Sequence, residues 1–421
     1  MAADIKKNDD FSKGPISKTI LRLAVPMVLA QFVNVLYNIV DRMYIGHISD
    51  TSVDALTGVG VTFPILLMVT AFANLFGSGG TPLFSMARGA AQQGGEEGEK
   101  QRECAADVMN NTFSMLVITG VVLCIVVLLI KKPVLYLFGA SDATYPYADS
   151  YLSVYMLGSV FMMVSLGMNG FINAQGFANR GMLTVVIGAV VNIALDPLFI
   201  FVFNMGVQGA ALATVLSAVW VVRFLLGKRT LFRLELKRMR PQAKLIGKIT
   251  SLGISGFIMG FTSSAVQVAC NAMLSQHGGD LFVAVMTYTP VNGVTSAAAP
   301  VVSFNYGAQK YKRVRGVIVF TTVVSFSYMV LVWLVLRLFP HVFIQLFNGD
   351  PQLLETCTHA MHIYFFGCFM MALQMSAQYV VQAMGRAKQA IFFSLLRKVI
   401  IVITLPFFLP QIPSVPVDGV C

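Results

Sequence analysis

The chain is poor in charge: Asp, Glu, Lys and Arg make up 12% of its 421 residues, about half the share of an ordinary soluble domain. That excludes a water-soluble globule, which could not cover its surface with so few ionised side chains. Cysteine is scarce as well, with six residues and no Cys-x-x-Cys pair, which excludes a disulfide framework and a zinc ribbon. Cys104, Cys124, Cys270, Cys357, Cys368 and Cys421 read as small apolar fillers. There are five histidines, and only His359-x-x-His362 has helical spacing for two metal ligands. No intramembrane acid joins that pair in its half of the chain, so it reads as polar residues at a helix end and no metal site is expected. Residues 1–19 carry Lys6, Lys7, Lys13 and Lys18 and lack the unbroken apolar core of a signal peptide, so no cleaved leader is expected.

What is abundant is apolar: 56% of the residues belong to the set AVILMFWYC. At about twenty residues per crossing, spans are expected near 16–45, 54–86, 105–130, 146–176, 181–203 and 207–227, then near 246–276, 281–304, 314–339, 354–384 and 388–410. The expected fold class is therefore all-α, a polytopic membrane protein with about eleven spans. Most Lys and Arg fall in the amino terminus and in the connections after even-numbered spans, which places those segments and the amino terminus in the cytoplasm. The net charge of +11 then reflects topology, and no nucleic-acid partner is expected.

The two halves read as copies in the same orientation. Pro82-x-x-Ser85-x-x-x-Gly89-Ala90 matches Pro300-x-x-Ser303-x-x-x-Gly307-Ala308, and further along Leu137-Phe138 falls on Leu346-Phe347, Gly158 on Gly367, Met162 on Met371 and Gly176 on Gly385. This divides the chain into an amino-terminal lobe (1–227), a basic cytoplasmic linker (228–248) and a carboxy-terminal lobe (249–421). The eighth span, broken by Pro290, Gly293 and Pro300, is expected to be about two turns shorter than the second. Val417-Asp418-Gly419-Val420 resembles Val207-Gln208-Gly209-Ala210, so the sequence stops where a twelfth helix would start.

Charge inside a span is costly, and an intramembrane acid is a functional candidate by default. Only Asp41 in span 1 and Asp196 in span 5 lie well inside spans. Asn192 and Asp196 are four apart and share a helix face, offering a carbonyl oxygen and a carboxylate to a monovalent cation or a proton. Pro197 kinks its helix and can leave backbone carbonyls available, and Thr214 can add a hydroxyl. The blander alternative has Asp41 paired with Arg42 and Asp196 capping a kink. Pro26, about four turns before Asp41, is either a hinge or a static kink. Asn34, Tyr37, Met163 and Met371 are candidates for lining a cavity, since thioether and aromatic faces accept many apolar or cationic guests.

With Pro26 and Asp41 in span 1, the repeated Pro82–Ala90 and Pro300–Ala308 segments, Asn192-x-x-x-Asp196-Pro197 and the Asn305-Tyr306-Gly307-Ala308 turn, nearly the whole chain resembles the multidrug and toxic compound extrusion (MATE) family. The resemblance implies two pseudo-symmetric six-helix lobes around a central cavity, and a membrane-embedded exporter that is not an enzyme. It implies efflux of organic cations or amphipathic drugs in exchange for Na⁺ or H⁺, by alternating access, with no cofactor beyond the coupling ion. It also implies a cation site of Asp41, Asn192, Asp196 and Thr214, with Pro26 and Pro197 as bends. A monomer in the cell membrane is expected. Alternatives are a lipid-linked oligosaccharide flippase of the same superfamily, a membrane transferase, and a fragment that no longer transports.

Overall fold

In hydrocarbon the backbone can satisfy its polar groups only within itself, and apolar runs of this length fold as helices. The computed structural model describes residues 10–46, 52–225, 234, 238–274, 279–340, 358 and 365–395. In the first half these form α1 (Ile16–Gly46), α2 (Ser52–Ala90), α3 (Gly95–Leu137), α4 (Tyr145–Leu157), α5 (Ser159–Ala174), α6 (Ala178–Pro197) and α7 (Val207–Leu225). The second half contributes α8 (Ala243–Leu274), α9 (Gly279–Gly307), α10 (Tyr311–Leu338), α11 (Cys368–Ala383) and α12 (Ala387–Leu395). A helix lies on each of the eleven expected spans. Among the described residues five helices are long and apolar enough to cross a membrane on those grounds alone, and α4 with α5 makes a sixth.

In two places the helices refine the expected spans. The stretch 146–176 is not one continuous helix, because it bends by 58° between α4 and α5. The break is at Gly158, where a Cβ would overlap the side chain of Val215, so the bare glycine lets α7 seat against the bend. Its repeat partner Gly367 likewise immediately precedes α11. The helix of the seventh span, α8, begins at Ala243, three residues ahead of the expected 246. The residues just before α8 pack on α3: Arg238 pairs with Asp107 at 3.0 Å, the Gln242 N–H donates to Asn111 Oδ1 at 2.8 Å, and Ser114 Oγ donates to the Met239 carbonyl at 2.9 Å.

In the first lobe α2 packs against α3, α4 and α5, with α7 closing on α4, α5 and α6. Its core includes Phe84, Met109, Leu116, Leu152, Met163 and Phe171. In the second lobe α9, α10 and α11 pack together around Val291, Met329, Leu336 and Phe365. The lobes meet through α2 on α8 and α1 on α9, two contacts that the repeat exchanges, and through α2 on α9. Glycine brings these backbones together: a Cβ on Gly79 would overlap the Ile249 carbonyl oxygen, and one on Gly253 the Leu75 carbonyl oxygen. At the last turns of α2 and α9, a Cβ on Gly89 would overlap the Phe304 oxygen and one on Gly307 the Met86 oxygen. These two contacts are reciprocal under the repeat, and they seal one face of the molecule between the lobes. The second-span helix α2 has 39 residues and α9 has 29. Residues 396–421, where the repeat places the start of a twelfth helix, and His359 and His362 lie outside the described residues.

Candidate cation site in the first lobe

Three helices supply the polar groups expected at this site. On α1, Asn34, Tyr37 and Asp41 follow one another at spacings of three and four and so share a face. On α6, Asn192 and Asp196 are stacked one turn apart, and α7 brings Thr214. The structure gathers Asp41, Asn192, Asp196 and Thr214. The Asn192 amide donates both to Asp196 Oδ1 at 3.2 Å and to Thr214 Oγ1 at 3.3 Å, while the Thr214 hydroxyl donates to the Ala210 carbonyl at 3.1 Å. Asp41 reaches across from α1 to hydrogen-bond with Asp196.

Burial makes this arrangement demanding. Asp196 is 0% and Asn192 1% exposed. With its amide hydrogens committed to Asp196 and Thr214, Asn192 turns Oδ1 the other way. Among the described residues, neither Asn192 Oδ1 nor Asp196 Oδ2 has a hydrogen-bond partner. Buried polar atoms are almost always paired, so two orphaned oxygens beside two carboxyls constitute a donor set for a cation or a proton. Two carboxyls in hydrogen-bond contact also need a proton or a cation between them to offset their repulsion.

Local backbone structure reinforces the site. Pro197 has no N–H to continue the helical ladder, and the chain passes from α6 into a π-turn over Leu198–Val202, closed by the Phe203 N–H donating to the Leu198 carbonyl at 2.9 Å. Such π-segments within helical runs recur at functional sites. Pro26 is buried inside α1, which continues through it.

Sequence reasoning missed two residues at this site. Tyr151 and Tyr155, one turn apart on α4, are buried with their rings stacked at 6.2 Å. Tyr151 lies near Asp41, Tyr37 and Asp196, and Tyr155 near Tyr37. The available signal was Tyr at i and i+4 inside a span, where phenols are placed for their hydroxyls. Of the candidate cavity residues, Asn34, Tyr37 and Met371 are partly or well exposed. Met163 is 0% exposed, packed in the first lobe's core against Gly120.

A family model described as MatE matches residues 26–198 and 274–408, one stretch in each half of the chain. The chain belongs to the MatE family. It is thus a multi-pass membrane transporter and not an enzyme. Among curated relatives, the multidrug export protein MepA of Staphylococcus saprophyticus subsp. saprophyticus is 23% identical over 412 residues, covering 93% of this chain and 87% of its own. MepA of Staphylococcus aureus (strain MSSA476) is 22% identical over 414 residues with the same coverage. Among solved structures, the MATE multidrug transporter DinF-BH superposes with a TM-score of 0.85 at 30% identity, over 96% of this chain and 90% of that one. An outward-facing MATE family transporter of the MOP superfamily superposes with a TM-score of 0.86 at 22% identity, over 98% and 93%, and shows the shared two-lobe fold.

Proposed function

We propose that this MatE-family transporter is a multidrug efflux antiporter that exports organic cations or amphipathic drugs in exchange for Na⁺ or H⁺. The observation that carries the coupling is the contact of Asp41 with Asp196, supported by Asn192 and Thr214 and by the two unpartnered oxygens beside them. Export of drugs is supported by relatives named as multidrug export proteins over most of both chains. The ion binds to oxygens of the first lobe, and the drug occupies the cavity between the lobes. Coupling arises because each ligand has a different affinity for the two states of the lobes. The excess of Lys and Arg in the amino terminus and the even connections puts the face sealed by Gly89 and Gly307 on the cytoplasmic side. The transporter works as a monomer in the cell membrane.

Replacing Asp196→Asn removes one carboxylate charge while keeping shape and hydrogen-bonding capacity. The expected result is loss of drug efflux driven by an imposed Na⁺ or H⁺ gradient in proteoliposomes, with equilibrium drug binding retained. Gradient-driven efflux at the unaltered rate would sink the reading. Running the assay with each gradient separately distinguishes the two ions.

A further inference from the structure

We propose that the segment Asp10–Gly14, ahead of α1, is a latch that clips the two lobes together across the sealed face and sets how readily that face opens. The inference rests on the alternating-access reading above.

Phe11 is the centre of the latch. Its side chain is 0% exposed, although it lies in a short segment outside any helix. Its ring meets Phe304 of α9 edge-on at 5.4 Å. The Arg88 guanidinium of α2 sits 5.2 Å from the Phe11 ring and 5.2 Å from the Phe304 ring, so one cation faces an aromatic from the amino-terminal segment and one from the second lobe. Arg88 is itself held to the first lobe by donating to the Ala174 carbonyl at the end of α5.

The backbone of the segment is held from the second lobe. Asn305 Nδ2 donates to the Phe11 carbonyl at 3.1 Å. Arg313, in the first turn of α10, uses three nitrogens on three carbonyls: Nε to Phe11 at 2.9 Å, one terminal nitrogen to Gly14 at 2.8 Å and the other to Lys13 at 2.9 Å. A planar fork with fixed donors suits this clamp in a way that a lysine ammonium does not. On the other side, Asp10 takes a hydrogen bond from Gln92, just beyond α2 in the first lobe. Phe11 also joins a buried cluster with Ile20 and Leu23 of α1 and Ala297, Val301 and Val314 of the second lobe.

Separation of the lobes at this face would therefore break the Arg313 fork or pull Phe11 from between Arg88 and Phe304. Both sets of contacts favour the sealed state, and removing them shifts the population toward the state with that face open.

The test is a pair of spin labels on Glu99→Cys in the first lobe and Arg315→Cys in the second, both exposed positions, in the full chain reconstituted in vesicles with its native cysteines replaced. Pulsed dipolar distances are read without drug or gradient. Arg313→Ala and Phe11→Ala are each expected to raise the population of the longer distance by about fivefold or more, within the usual range of coupling between sites. Arg313→Lys, which keeps the charge and loses the fork, should raise it as well. Lys18→Ala, at an exposed position of α1 outside the segment, should leave the distances unchanged. Unchanged distances in both folded alanine variants would overturn the proposal, as would a lowered melting temperature without any distance shift. Because the measurement needs no transport, it stands or falls separately from the Asp196→Asn assay.

Discussion

Asp10 shows how a single acid can be made insensitive to pH changes near neutrality. Burial opposes its charge, but hydrogen bonds from Ser12 and Gln92 and the nearby Lys13 ammonium, 3.4 Å away, outweigh that cost and lower its pKa from 3.8 to about 2. A depressed folded-state pKa means that the ionised carboxylate stabilises the fold fully above about pH 4 and loses that effect as the pH falls toward 2. The melting-temperature difference between the natural chain and Asp10→Asn should therefore stay constant from pH 8 to 5 and shrink only below about pH 4. A difference that vanished between pH 7 and 5 would mean that Asp10 titrates in the working range. Any pH dependence of efflux between 5 and 8 then originates elsewhere in the molecule. The Asp41 and Asp196 pair was legible in the sequence because an acid stands out in an apolar run. Tyr151 and Tyr155 were not, because a phenol in such a run looks like any aromatic until the fold brings it near the acids.

At the scale of elements, the spans were legible because a membrane demands long uninterrupted apolar runs, and the structure has a helix on every one. What escaped was contact between runs. The break at Gly158 is set by Val215, 57 positions later, and nothing local to residues 146–176 announces it. The approach of α2 to α8 is of the same kind: Gly79 and Gly253 are ordinary helical glycines in sequence, and each stands against a carbonyl oxygen of the other helix. Gly253→Ala should force these backbones apart and destabilise the protein by about 1–3 kcal/mol, the usual cost of overpacking. Gly247, on the same helix, faces open space, with nothing within 4 Å of where a Cβ would stand. Gly247→Ala should stabilise by up to about 1 kcal/mol through helix propensity alone. Opposite shifts of the melting temperature in detergent check the pair; a shared sign would show that α2 and α8 are not held at backbone contact.

For the whole molecule, the repeat is kept where α2 meets α9 and broken elsewhere. Gly89 and Gly307 are 218 positions apart, as are Met86 and Phe304, and each glycine rests on the other repeat's carbonyl. The acids, by contrast, belong to the first lobe alone, while the Arg313 fork comes from the second. A symmetric seal predicts symmetric consequences: Gly89→Ala and Gly307→Ala should each raise the long-distance population between labels at Glu99→Cys and Arg315→Cys, by the same factor within error. The two substitutions act on one contact between α2 and α9, so their effects should not add. Once the first methyl has parted the helices, the second meets space already made, and the double variant should shift the population less than the product of the single effects. Full additivity would mean that the two glycines close separate contacts, and a shift from only one of them would mean that the face is sealed by one repeat and not by the pair.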